Sequence, residues 1–428
     1  MKRHLAISLS FALATSFLSA ATALVPPKPD EPFFEKFNPK PAPQPDGLLL
    51  KKGDRLAIIG DSITEQKMYS RVMETYLTVC VPQLEVTARQ YGWGGETAPG
   101  FLARMTNDCL RFEPTIATTC YGMNDHGYRA YEPQIGERYR KAQTAIVQSF
   151  KANGTRVVLG SPGCVSKKDE ALNLNLCELR NIDIDIATQE QVAFADVFWP
   201  MFTAGRAAQL RYGMNYAIAG NDGVHPGWAG SFMMAYSFLR AFGLDGEIGT
   251  FTVDLGAGTA TASAGHEVVS AKVGEVQIKS ARYPYCGTNA NNDLKSDNST
   301  RSAMSLVPFN QELNRLTLIA KNGAAQKYKV TWGKNSKSYT AAQLAAGVNL
   351  AEDFVSNPFS AAFAKVDAAV KTKQDYETMQ IKTMFHGPEF KLEPETMTKL
   401  TERVRAPLAA NIAKAFVPVT HTIQIAAE

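Results

Sequence analysis

From residue 54 onward, short apolar runs alternate with segments of helix length. Arg55–Ile59, Leu84–Arg89, Thr115–Cys120, Arg156–Gly160 and Val192–Val197 read as strands, with helical segments such as Gln134–Ala152 and Leu172–Gln189 between them. Such alternation predicts crossover units and a parallel sheet, here one doubly wound α/β domain reaching to about residue 245. After Leu244 the pattern changes. Phe251–Leu255, Val276–Ser280, Leu316–Ala320 and Tyr328–Trp332 are short strand-like runs, and the last leads into the turn Gly333-Lys334-Asn335-Ser336-Lys337. These predict a small antiparallel sheet. Helical periodicity returns over 360–385 and 395–415, with Phe363, Val366, Ala369 and Val370 on one face. The alternating run Val419–Ile425 is placed to rejoin the sheet. No internal repeat is visible.

The N-terminus sets a basic start, Met-Lys-Arg-His, before the apolar run Leu5–Leu18 and the exit Ala21-Thr22-Ala23. This describes a secretory signal peptide over residues 1–23. A membrane anchor is the alternative, but the run is shorter than the ~20 residues a span needs. Trp228–Leu244 is the nearest later approach to a span, and Arg240 interrupts it. The expectation is an exported protein, periplasmic or extracellular, with no stable membrane span. Eight prolines between Pro26 and Pro45 predict an extended linker over residues 24–47. The α/β domain then occupies 48–246 and a β-rich and helical accessory domain 247–428.

Composition narrows the class. Of 428 residues, 45% are hydrophobic and 20% charged, which excludes disorder as the dominant state. The net charge of +4, from 45 basic and 41 acidic residues without a basic run, argues against a nucleic-acid partner. Six cysteines are too few for a disulfide-built scaffold. The spacing of Cys164 and Cys177 suits one loop-closing bridge, but the pairing stays open, as does burial of free thiols. Neither C-x-x-C nor H-E-x-x-H occurs, so no metal is expected.

The candidate chemistry lies at the carboxyl ends of the predicted strands, where open parallel sheets form their ligand crevice. The first strand runs into Gly60-Asp61-Ser62-Ile63-Thr64, placing Ser62 on a strand-to-helix turn as a candidate nucleophile. An ordinary N-cap is the other reading of this sequence. The second strand leads to Gly92-Trp93-Gly94-Gly95-Glu96-Thr97, where glycine lets a backbone N–H approach a substrate. This is not G-x-G-x-x-G, so a dinucleotide site is not indicated. The third leads to Gly122-Met123-Asn124-Asp125-His126, where the Asn124 amide can donate to a developing oxyanion. After the fifth comes Asn221-Asp222-Gly223-Val224-His225-Pro226. The spacing from Asp222 to His225 lets the carboxylate fix the imidazole tautomer while the other ring nitrogen accepts the Ser62 proton.

Together these segments resemble the GDSL/SGNH hydrolase superfamily over residues ~54–245, with Ser62, Gly95, Asn124 and then Asp222-x-x-His225 in that family's order. Ile63 stands where the name-giving pattern has Leu. G-x-S-x-G, the mark of the other large esterase fold, is absent around Ser62. The resemblance implies a flavodoxin-like three-layer α/β/α domain. It also implies Ser62 as nucleophile, His225 as general base and acid, and Asp222 as its orienting partner. The oxyanion hole would comprise the N–H groups of Ser62 and Gly95 and the Asn124 amide, with no cofactor or metal.

His126 and Trp93 are candidate substrate contacts, with ordinary packing as the competing reading for each. The β-rich extension resembles the accessory regions of exported bacterial carbohydrate esterases, and with export that resemblance implies a secreted esterase acting on O-acetyl groups of a glycan. The alternatives are a lipase or lysophospholipase with the same triad, and a non-catalytic surface protein that binds glycans through residues 247–428. Oligomeric state is not encoded in any feature above.

Overall fold

The computed structural model describes residues 28–166, 170–287 and 291–428. The expected signal peptide and the start of the linker lie outside these residues. The first sheet contains β1 (Arg55–Gly60), β2 (Thr87–Gln90), β3 (Ile116–Cys120), β4 (Arg156–Gly160) and β5 (Ala193–Ala195). All its pairings are parallel, in the order β2-β1-β3-β4-β5. This is the flavodoxin-like arrangement, and every residue of β3 is buried because helices cover both faces. Helices α1 (Ser62–Glu65), α2 (Tyr69–Val79), α3 (Ala98–Asp108), α4 (Pro133–Ala152), α5 (Glu170–Glu190), α6 (Phe198–Tyr212) and α7 (Trp228–Ala241) complete this domain. The second strand starts later than the hydrophobic pattern predicts. Pro82–Leu84 forms a 3-10 turn, and Glu85 turns left-handed with φ of 50°.

The proline-rich segment is not a free tether where it is described. Phe34 and Phe37 are buried against Trp199 and Phe202, with ring centres 4.8–6.4 Å apart. Arg180 donates to the Lys40 carbonyl at 3.0 Å, and Asn181 donates to that of Asn38 at 3.0 Å. Prolines have no N–H to satisfy. The segment therefore crosses the domain surface as a strap, held by its phenylalanines and carbonyls.

The C-terminal region departs from a single antiparallel sheet. Its strands are β6 (Glu247–Asp254), β7 (Thr259–Ala262), β8 (His266–Lys272), β9 (Glu275–Ser280), β10 (Arg315–Lys321), β11 (Lys327–Trp332), β12 (Asn335–Thr340), β13 (Val348–Asn349) and β14 (Val419–Ala427). They form two sheets, β13-β10-β6-β7 and β12-β11-β14-β9-β8. β10 runs parallel to β6, because the chain visits the other sheet between them. The alternating run at the C-terminal end does pair as expected, but centrally, between β11 and β9. A polar chain joins the sheets. Trp332 donates to His421, which contacts Ser280, which contacts His266, whose Nε2 lies 2.9 Å from the Ile248 carbonyl.

The helices Ser360–Met379 and Pro394–Ala415 cover the edge strand β2 and helix α2. Between them the periodic stretch expected over 360–385 changes pitch into a π-helical turn, Gln380–Met384. The contact with the α/β domain is strongly polar. Lys373 Nζ is 2.7 Å from Glu74 and 3.1 Å from Glu377, and Arg405 is 2.7 Å from Glu377. Arg89 of β2 reaches both Gln380 and Glu402 at 2.8 Å.

All six cysteines are free thiols, so the bridge between Cys164 and Cys177 does not form. Burial pushes both thiols up to about 12, which keeps them protonated and inert.

Candidate active site

β1 ends in Gly60 because the next turn leaves no room for a side chain. A Cβ there would lie 2.1 Å from Thr64 Oγ1 and 2.8 Å from the Cys120 carbonyl. Asp61 caps α1 by accepting the Ile63 N–H at 2.9 Å. Burial, reinforced by Asp125 and Glu96, raises the Asp61 carboxyl to about 7. It supports the turn from beneath, and Ser62 emerges as the first helical residue, half-buried.

The loop before α7 brings the histidine to this serine. His225 Nε2 is 2.8 Å from Ser62 Oγ, and His225 Nδ1 is 2.6 Å from Asp222 Oδ2. The other carboxylate oxygen of Asp222 accepts the N–H groups of Val224 and His225, each at 2.9 Å. Partial burial works against ionisation. The two N–H bonds and the imidazole outweigh it and hold the Asp222 carboxyl at about 2. An ionised carboxylate only accepts, so Nδ1 carries the imidazole proton and the Nε2 lone pair faces Ser62. Gly220 makes the bend possible: φ is 82°, and a Cβ would lie 1.8 Å from the His225 carbonyl.

The loop after β2 passes close to α1. A Cβ on Gly92 would lie 2.2 Å from the Glu65 nitrogen. Gly95 adopts φ of 72° in open space, a conformation suited to glycine. The loop is anchored by Glu96, which is buried, pairs with Arg104 through two bonds of 2.6 Å and accepts from Tyr121 at 2.6 Å. Asp125 ties it to the β3 loop by accepting the N–H groups of Ala98 and Gly122, each at 3.0 Å.

Asn124 sits between these loops. Its Nδ2 donates to the Glu96 carbonyl at 2.9 Å, and its Oδ1 accepts from the Tyr128 hydroxyl at 3.2 Å. Both contacts fix the amide's orientation and leave the second N–H of Nδ2 available. Tyr128 is exposed and has φ of 55°, an unusual conformation for an aromatic residue.

Ser62, Asp222 and His225 are therefore brought together, with Gly95 and Asn124 on the adjoining loops. The two candidate substrate contacts fare differently. His126 is fully buried, its Nδ1 is 2.5 Å from the Met123 carbonyl, and the Tyr128 ring covers it at 4.7 Å. It does not reach the open face. Trp93 is half-buried, with one edge against His386 at 4.7 Å and Arg104 5.0 Å from its ring centre.

Sequence reasoning missed the contribution of the C-terminal region. An open cavity of about 450 Å³ borders His225 and Asp222, lined also by Gln66, Asn221, Asp297 and Asn298. Asp297 accepts the Ala217 N–H at 3.0 Å and, through its carbonyl, the Ala229 N–H at 3.1 Å. Among the described residues no group of three or more His, Cys, Asp or Glu side chains is placed to hold a metal, and no helix is long and apolar enough to cross a membrane.

A parallel sheet in this order, with Ser62, His225 and Asp222 in contact across its strand ends, is the arrangement that the resemblance to SGNH hydrolases implies. Residues 58–231 match the GDSL-like Lipase/Acylhydrolase family. That match places the α/β domain over residues 58–231 among GDSL/SGNH-type ester hydrolases. No curated protein matches the sequence. Among solved structures, BT4096, a gut microbial diltiazem-metabolizing enzyme, superposes with a TM-score of 0.72 at 21% identity, covering 89% of this chain and 98% of its own. That likeness of fold extends through the C-terminal region. Axe2, an acetylxylan esterase from Geobacillus stearothermophilus, gives 0.41 at 20% identity over 46% of this chain and 97% of its own. LAE5, an alpha/beta hydrolase from the metagenome of Lake Arreo, gives 0.40 at 21% over 46% and 98%.

Proposed function

We propose that the protein is an exported serine esterase that removes O-acetyl groups from carbohydrate. The observation that carries the reading is the chain Asp222–His225–Ser62, with contacts of 2.6 and 2.8 Å. Ser62 Oγ attacks the acetyl carbonyl carbon as His225 Nε2 takes its proton. The N–H groups of Ser62 and Gly95 and the Asn124 amide receive the developing oxyanion. Each such donor is worth about 10²–10³ in kcat. His225 then protonates the leaving sugar oxygen. Water, deprotonated by the same imidazole, hydrolyses the acetyl-serine and releases acetate. The cavity beside His225 is bordered by Gln66, Asn221, Asp297 and Asn298 together with Met68 and Pro226, and its polar members can hydrogen-bond a hydroxylated leaving group.

The test is acetate or acid release from an aryl acetate, an aryl octanoate and acetylated xylo- and sialo-oligosaccharides. The acetylated sugars are expected to give the highest kcat/KM. Preference for octanoate with no action on acetyl-sugars would replace the glycan reading with a lipase reading.

The Tyr128 hydroxyl orients Asn124, so Tyr128→Phe is expected to lower kcat about fivefold, the worth of roughly one kcal/mol. KM should stay within a factor of about two, because the ring remains. Steady-state kinetics on the aryl acetate check this, and an unchanged kcat would remove Tyr128 from the argument.

A further inference from the structure

The loop that presents the Gly95 N–H has no side chain packed on Gly95 itself, and nothing lies within 4 Å of where its Cβ would be. Its neighbour Gly94 donates its N–H to Glu65 Oε2. Glu65 stands three residues after Ser62, in α1. Its other oxygen, Oε1, accepts from Lys382 Nζ at 2.7 Å. Lys382 lies in the π-helical turn Gln380–Met384, a geometry that recurs at functional sites. Lys382 Nζ is also 5.5 Å from the centre of the Trp93 ring, one residue before Gly94. Two residues beyond that turn, His386 packs on Trp93 and bonds Asp108 at 2.8 Å.

A single carboxylate thus links the helix carrying the serine, the loop carrying Gly95 and a cation supplied from the far end of the sequence. We propose that Lys382 and Glu65 form a clamp by which the C-terminal region positions the Gly95 N–H for the oxyanion. Both are positioning residues, and the assignment rests on the serine-esterase reading above. An uncharged residue at 382 leaves Glu65 free to swing toward solvent and release Gly94. The Gly95 donor then loses its aim while the acyl and sugar contacts stay in place. The signature is a loss in kcat with KM retained.

The experiment compares the full-length wild type with Lys382→Met, Lys382→Arg, Glu65→Gln, Glu65→Gln/Lys382→Met and Ser62→Ala on the aryl acetate. Thermal melts and amide hydrogen exchange of the peptide containing Gly92 to Glu96 accompany the kinetics. Lys382→Met is expected to lower kcat about 3- to 10-fold with KM within about twofold, and to raise exchange in that peptide. Lys382→Arg should recover most of the rate. The double variant should be no slower than Glu65→Gln alone, because both act through one contact.

Wild-type kcat and unchanged exchange in Lys382→Met would overturn the clamp while leaving the serine reading intact, provided Ser62→Ala is inactive. A rate loss that follows the melting temperature and is not recovered by arginine would overturn it in favour of a purely structural contact. Ser62→Ala as active as wild type would remove the esterase reading and the clamp's catalytic role with it.

Discussion

Ser62→Ala is expected to lower ester hydrolysis between about 10³- and 10⁶-fold, the range found when a triad nucleophile is removed. The structure gives this loss a clean interpretation. Ser62 Oγ bonds His225 Nε2, while Asp61 alone supplies the side-chain cap of α1. Alanine at the first helical position keeps that cap and favours the helix. The melting temperature should therefore stay close to the wild-type value. His225 remains oriented by Asp222, whose carboxyl, held at about 2, stays ionised until pH falls toward that value. Its stabilising contribution is present above the ordinary carboxylate range and fades only as pH drops from about 4 toward 2. Wild type and variant compared at one pH between 5 and 8 therefore both have Asp222 ionised. A variant as fast as wild type would mean that the ester is cleaved elsewhere.

The second large effect concerns stability. Lys373 is 1% exposed at its side chain, between Glu74 and Glu377, which are 6% and 0% exposed. Burial pushes the Glu74 carboxyl up in spite of Lys373, whereas at Glu377 the cations Lys373, Arg405 and Arg89 overcome burial and hold the carboxyl down. Removing the ammonium leaves Glu377 with Arg405, but among the described residues leaves the Glu74 side chain with the Gln374 amide at 2.8 Å. Lys373→Met is expected to destabilise the protein by about 3–5 kcal/mol, the cost of stranding a buried charge. The loss should appear as a lower thermal midpoint and earlier urea unfolding. Adding Glu74→Gln should restore part of it, because the stranded charge is then absent. A double variant no more stable than Lys373→Met would show that the Glu74 charge is not what Lys373 answers, leaving its packing and its bond to the Ala88 carbonyl as the source of the loss.

The features legible in the sequence were local ones. Ser62 sits two residues beyond the end of β1, and Asp222 lies three residues before His225; the meeting of Ser62 and His225 across 163 residues was expected only because both follow strand ends of one parallel sheet. The parallel sheet followed from the alternation of strand and helix. What escaped depends on partners distant in sequence. Glu65 and Lys382 are 317 residues apart, and neither stands out among ordinary surface charges. Phe34 and Phe37 lay hidden in a stretch whose prolines suggested extension. His126 is buried because Tyr128, in a left-handed conformation that its sequence does not announce, folds back over it. The parallel pairing of β6 with β10 is set by which sheet the intervening strands join, a choice hydrophobic alternation does not encode.

The central position of β14 also governs the order in which the molecule can be built. β9 emerges during synthesis with one edge unfilled, and its partner arrives late: Ser280 and His421, joined across that edge, are 141 residues apart. Closing so long a loop is slow, and until it closes both β9 and β11 present open strand edges. The α/β domain, whose sheet joins strands from Arg55 to Ala195, has no such wait. Assembly is thus expected in two stages, with chaperone demand and aggregation risk concentrated in the interval before β14 is inserted.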